Sequence, residues 1–146
     1  MTTIGTIGTL LHHKGHKVWT LPAKATVFEA IQLLAEKNIG ALPVMEEDQL
    51  IGIFSERDYT RKVALAGKSS RATSVREIIT TPVIPVTSQH TIEEAMRLMT
   101  EKRVRHLPVI DGGKLTGMVS IGDMVNWIIS AQTATIDQMK SYLAGR

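Results

Sequence analysis

Gly117-Met118-Val119-Ser120-Ile121-Gly122-Asp123 reads as an apolar strand running into a helix, with a serine at the junction and an aspartate three residues later. Gly52-Ile53-Phe54-Ser55-Glu56-Arg57-Asp58 has the same form 65 positions earlier. Ser-x-x-Asp at a helix start is a capping arrangement, worth about 1 kcal/mol and needing no ligand. It also has the chemistry a nucleotide requires. A carboxylate accepts both hydroxyls of a vicinal diol, and a helix N-terminus offers N–H groups and partial positive charge to phosphate. The motif alone leaves both readings open.

Working outward, the doubling extends over most of the chain. At the constant offset of 65, residues 18–60 align with 83–125 without a gap. Fourteen pairs are identical, beginning from Val18, Thr26, Glu29, Ala30, Leu33, Glu36, Lys37, Leu42, Pro43, Val44, Leu50, Gly52, Ser55 and Asp58. In each copy a strand is expected first, Lys17 to Leu21 and Val83 to Val86. A capping box follows, Thr26 with Glu29 and Thr91 with Glu94. The next helix carries one apolar stripe, Val27, Ala30, Ile31 and Leu34 in copy one, Ile92, Ala95, Met96 and Met99 in copy two. A hairpin comes next, Ala41–Met45 with Leu50–Phe54, then Leu107–Ile110 with Leu115–Val119. Ser55 opens a helix expected to reach about Ala66. The pattern predicts an α+β fold of two strand-helix-strand-strand-helix repeats. Each repeat is too small to bury much core alone, so the two are expected to pack together.

The remaining segments divide the chain as 1–14, an apolar arm; 15–66, repeat one; 67–81, a small, polar, basic linker; 82–130, repeat two; and 131–146, a helical extension. Val75 to Ile79 has room for one helical turn. Met124 to Tyr142 reads as a long helix that outruns its repeat, with core packing and a subunit interface both open as its role.

Composition limits the function classes. With 146 residues and 43% hydrophobic content, the chain has enough apolar residues for a real core. No apolar run approaches the roughly 18 residues of a membrane span, and Met1-Thr2-Thr3-Ile4-Gly5 has no basic leader. Cysteine is absent, which suits the cytosol. The net charge of +3 and pI near 9.3 favour anionic ligands without reaching the density of a nucleic-acid arm. Aromatics are 4%, too few for base-stacking platforms. His12, His13 and His16 lack the cysteine or carboxylate that would complete a metal set. No P-loop or Gly-x-Gly-x-x-Gly occurs, and His90 has no nucleophile to serve. No metal, catalytic cofactor or enzymatic activity is expected.

The repeat, with its Leu-Pro-Val strand and Gly-x-x-Ser-x-x-Asp junction, resembles the CBS domain, and two in tandem resemble a CBS pair. Phe54-Ser55-Glu56-Arg57-Asp58-Tyr59 and Arg103-Val104-Arg105-His106-Leu107-Pro108-Val109 are similar to small stand-alone bacterial members. The resemblance implies a pseudo-twofold pair acting as a regulatory module. Such a module binds adenosine compounds (AMP, ADP, ATP, NAD or S-adenosylmethionine) in clefts between its repeats and usually dimerises. It implies that Asp58 and Asp123 hold ribose hydroxyls, and that Ser55, Ser120 and the helix starts, with Arg57 and Gly122, lie near phosphate. Backbone around Gly40, Ala41 and Pro43, and around Arg105, His106 and Pro108, would bracket adenine. By family position Lys14, Val18 and Trp19 line a first site, and Thr80, Val83, Ile84 and Pro85 a second. Trp19 reads equally as core.

The copies differ in their basic residues. Arg57 stands where copy two has Gly122, and Arg105-His106 where copy one has Gly40-Ala41. Arg103, Arg105 and His106 make the copy-two side the stronger phosphate site, with Arg57 and Arg61 expected to reach across. The output would pass to a separate effector protein, with no membrane involved. Two other classes stay open: a nucleic-acid binder using the basic linker Lys68 to Arg76, and a dimerisation module whose Ser-x-x-Asp motifs are only caps.

Overall fold

The computed structural model describes residues 4–144; the outermost residues of the predicted arm and extension lie outside it. The chain divides into two units, Val18–Ile84 and Met1–Lys17 with Pro85–Arg146.

In the first unit β1 (Leu21–Pro22), β2 (Ala41–Glu46) and β3 (Gln49–Ser55) form a sheet in that order. β1 runs parallel to β2, and β2 antiparallel to β3. The hairpin turns through Glu47 and Asp48, both at positive φ (50° and 64°), as a tight turn matching the strand twist demands. Helix α2 (Val27–Lys37) starts at Thr26, whose side chain accepts the Glu29 N–H, and ends at Asn38 in the left-handed conformation. The returning half of the predicted capping box is altered: the Thr26 hydroxyl donates to the Glu29 carboxylate at 3.2 Å. The core gathers Val27, Ala30 and Leu34 with Leu42, Val44 and Phe54, the inward positions of helix and sheet.

In the second unit β4 (His106–Asp111) and β5 (Lys114–Ser120) make the equivalent hairpin, turning at Gly112 and Gly113 with φ of 57° and 77°. Helix α4 (Ile92–Lys102) has the complete Thr91–Glu94 capping box. Ile92, Ala95, Met99, Leu107, Val109, Val119 and Met124 are buried.

The predicted opening strands are shorter than expected. Lys17 to Leu21 yields pairing only at Leu21 and Pro22, and Val83 to Val86 yields one bridge, Val86 to Val109. The register explains this. Leu21 lies beside Val44, so Thr20 falls beside Pro43, which has no N–H to extend the ladder. Pro108 does the same in the second unit. The helix expected from Ser55 to Ala66 also changes character. α3 covers Glu56–Asp58 only, and Tyr59–Ala64 continues as wider π turns, with the Leu65 N–H bonding the Thr60 carbonyl.

Each unit is completed by a segment that precedes the other repeat in sequence. The 3₁₀ turn Val75–Glu77 closes the first unit, and helix α1 (Ile7–Lys14) closes the second. The bonding is matched: Val27 N–H to Thr73 carbonyl and Val75 N–H to Ala25 carbonyl, then Ile92 N–H to Gly5 carbonyl and Ile7 N–H to His90 carbonyl. Each segment lies over a glycine of its unit's last strand. A Cβ on Gly52 would stand 2.7 Å from Ile79 Cδ1, and one on Gly117 would stand 2.7 Å from Leu11 Cδ1. The glycines are there because a neighbour fills the space.

Helix α5 (Ile121–Leu143) is the long C-terminal helix expected from the sequence. Its first turns pack in the second unit, with Met124 buried and the Trp127 indole donating to the Ile4 carbonyl at 2.8 Å.

Candidate functional site

Both Ser-x-x-Asp junctions form complete capping boxes. Ser55 caps α3 and Ser120 caps α5, each serine oxygen taking the N–H of its aspartate and each aspartate returning to the serine N–H. The first N–H of each helix is also used, from Glu56 to the Gly40 carbonyl at 3.1 Å and from Ile121 to the Arg105 carbonyl at 2.9 Å. The capping role is therefore real in both copies. The difference between them lies in what else holds the carboxylates.

Asp58 is buried, with both oxygens engaged. Oδ2 accepts the Ser55 N–H at 2.9 Å and the Ser55 hydroxyl at 3.0 Å. Oδ1 accepts the Thr80 hydroxyl at 2.9 Å and lies 3.1 Å from the Lys62 ammonium. Lys62 also donates to the Ile78 carbonyl at 3.1 Å. A carboxylate has about four acceptor positions, and this one is filled from its own unit.

Asp123 is held differently. The Ser120 N–H at 2.8 Å and the Lys14 ammonium at 2.7 Å both reach Oδ2. Its side chain keeps 23% of its surface, and that of Lys14 keeps 40%. Trp127 stands four residues after Asp123, where Asp58 has Lys62, so the cation comes from α1 instead. Lys14 donates in addition to the Met118 carbonyl at 2.7 Å, and His16 meets the Thr116 carbonyl at 3.1 Å through Nδ1. These side chains occupy the edge of β5. The matching edge of β3 bonds instead to the Thr80 backbone through Ile53.

His106 lies at the start of β4, opposite Ser120. Burial pushes its imidazole below the ordinary value of 6.5; Asp123 pulls the other way, and Lys14 and Arg105 add to the depression. A neutral imidazole, two flanking cations and a carboxylate thus share one end of the β4–β5 hairpin. Gly122 is exposed, with only Ser120 Oγ near its Cβ direction, at 3.6 Å.

The structure brings Lys14, Arg105, His106, Ser120, Gly122 and Asp123 together in the second unit, with Pro108 buried opposite Met118. Ser55, Asp58, Gly40, Ala41, Pro43 and Thr80 gather in the first. Thr80 therefore stands with Asp58 and Lys14 with Asp123. Val18, Trp19, Val83 and Ile84 are half-buried, while Pro85, Arg57, Arg61, Arg103 and Arg105 are exposed. Trp19 packs on the first unit's core with the Lys37 ammonium 4.1 Å from its ring centre. Lys62 and the Met118 carbonyl were not singled out from sequence, and His16 was weighed only as a metal ligand. The i, i+4 spacing of Asp58 and Lys62 is the signal that could have found the first. Among the described residues no His/Asp/Glu group of three is placed to hold a metal ion, and no helix is long and apolar enough to cross a membrane.

The CBS domain family profile matches residues 14–65 and 75–130, one match per repeat. The chain belongs to the CBS-domain family. It is 39% identical to the mitochondrial CBS domain-containing protein CBSX3 of Arabidopsis thaliana, over 82% of this chain and 61% of that protein, less than two thirds of its length. A CBS-domain protein of Burkholderia ambifaria MC40-6 assigned to signal transduction is 48% identical, with a TM-score of 0.83 over 86% of this chain and 94% of that one. A hexameric CBS-CP12 protein from bloom-forming cyanobacteria is 32% identical, with a TM-score of 0.73 over 82% of this chain and 70% of its own. The α+β chain of two tandem repeats has the fold of these CBS pairs, and CBS pairs are regulatory and signal-transduction modules.

Proposed function

We propose that this CBS pair senses an adenosine-containing nucleotide of the AMP, ATP or NAD type and binds it at the Ser120–Asp123 element. The observation that carries the reading is the contrast between the two aspartates. Asp58 is enclosed, with Ser55, Thr80 and Lys62 on its two oxygens, whereas Asp123 has Ser120 and Lys14 on Oδ2 and stays partly exposed. A ribose diol donates two hydrogen bonds to one carboxylate. Lys14, Arg105 and His106 around it supply positive charge and a polar ring for phosphate and base. The Ser55–Asp58 element is then chiefly a structural cap, and the Ser120–Asp123 element a cap that also recognises ligand.

Binding would act by linkage: a nucleotide that prefers one arrangement or association state shifts the population by its differential affinity. The hexameric cyanobacterial relative supports association as one output. The cysteine-free composition suits a cytoplasmic setting, and the signal passes to a separate effector protein. Isothermal titration of AMP, ATP and NAD into nucleotide-free protein tests the reading. It expects one of them to bind wild type and Asp58→Asn, and to bind Asp123→Asn at least about tenfold more weakly, a loss of about 1.4 kcal/mol. No binding by wild type, or equal binding by both variants, overturns it.

A further inference from the structure

We propose that Lys14 is an internal placeholder at the Ser120–Asp123 element: its ammonium covers the Asp123 carboxylate until a ribose takes that carboxylate over, and then moves to the ligand's phosphate. This rests on the nucleotide reading above and adds what the site selects, a nucleoside carrying phosphate rather than a bare or cationic one. The ammonium stands 2.7 Å from Asp123 Oδ2 and 2.7 Å from the Met118 carbonyl oxygen. It is thus set on the carboxylate that a ribose diol would need.

The contact is built to be exchanged. The Lys14 side chain is 40% exposed and that of Asp123 23%, so parting them leaves both groups in reach of water. An ion pair of that kind biases an equilibrium by no more than about fivefold. The Lys62–Asp58 pair is the opposite case: Asp58 keeps 9% of its side-chain surface, and the same separation there would strand a buried charge. Lys14 is also the last residue of α1, a helix anchored by Ile7, Leu10 and Leu11. Its flexible aliphatic stem swings the charge without moving the helix. Charge then decides what the site accepts. Lys14, Arg105 and Asp123 all act on the His106 ring, two cations against one carboxylate. A ligand that brings its own phosphate takes Asp123 and gives the displaced ammonium a new anion. Adenosine takes Asp123 and gives nothing back, and a cationic nucleoside adds a like charge.

Isothermal titration of AMP, ATP, NAD and adenosine into nucleotide-free wild type, Lys14→Met and Lys14→Arg tests this, with circular dichroism confirming that each variant is folded. The nucleotide that wild type binds is expected to bind Lys14→Met about tenfold more weakly, because its phosphate loses the ammonium. Adenosine is expected to bind the same variant about threefold more tightly, because nothing competes for Asp123. Lys14→Arg keeps the charge and is expected to keep the preference for phosphate. Equal weakening of nucleotide and adenosine would make Lys14 a fixed positioning group. Adenosine bound no better by Lys14→Met than by wild type would show that no competition exists. Either result overturns the exchange and leaves the nucleotide reading standing. A wild type that binds none of the three nucleotides overturns both.

Discussion

The Lys14 ammonium lies 2.7 Å from Asp123 Oδ2, 109 positions along the chain, and does for one repeat what Lys62, four residues from Asp58, does for the other. One aspartate is served locally and the other by a docked helix. This makes the second arrangement the more readily exchanged, because the Asp123 side chain stays 23% exposed while Asp58 is enclosed.

That difference predicts unequal stability losses. Asp58→Ala leaves the Thr80 and Ser55 groups without their acceptor at a buried site, while Lys62 stays partly in solvent, and should cost about 2 kcal/mol. Asp123→Ala removes a cap and a solvent-screened ion pair and should cost about 1 kcal/mol. Urea denaturation of both variants measures this. Equal losses would show that the two carboxylates bear the same structural load.

Lys14→Met should leave stability within about 1 kcal/mol of wild type, because its partners stay hydrated. It should nevertheless change nucleotide affinity, since it removes the cation beside Asp123. Paired denaturation and titration separate the two effects. A large stability loss with unchanged affinity would make Lys14 a structural tie only.

The glycines under the docked segments give a further pair. Gly52→Ala sets a methyl 2.7 Å from Ile79 Cδ1 and 2.9 Å from its Cβ. The Cβ is fixed to the backbone, so the site cannot relax by rotation, and a cost of about 2–3 kcal/mol follows. Gly117→Ala meets the terminal methyls of Leu11 first, which can rotate, and should cost about 1 kcal/mol. Thermal unfolding ranks them, and the reverse order would contradict the packing described.

Stability should also fall on mild acidification. Burial holds the folded His106 below its ordinary 6.5, so as pH drops through that value the unfolded chain takes up the proton first. Its contribution is complete above the unfolded value and is lost as pH falls towards the folded one. His106→Gln should flatten the dependence as pH falls below about 6.5. An unchanged slope in the variant would assign the effect to other groups.

The repeat, its hairpins and its helix caps were legible because identical residues recur at one offset. The exchange of closing segments was not. Ser74-Val75 and Ile78-Ile79 match Thr6-Ile7 and Leu10-Leu11 in apolar spacing, but at an offset of 68 rather than 65, so the alignment of the repeats passes over them. For the same reason sequence position alone did not pair Thr80 with Asp58 or Lys14 with Asp123. The short opening strands followed from Pro43 and Pro108, whose effect depends on a register that sequence does not fix. The π turns after Asp58 left no pattern distinct from an ordinary helix.

The most direct test is thermal unfolding of nucleotide-free protein against AMP, ADP, ATP, NAD, S-adenosylmethionine and GTP, run in parallel on Asp123→Ala. One adenosine compound at about a hundred times its Kd should add about 2.7 kcal/mol to wild type, a rise of roughly 5–10 °C for a chain of this size, and much less to the variant. A flat panel for wild type, or an equal rise in Asp123→Ala, would contradict nucleotide recognition at this element.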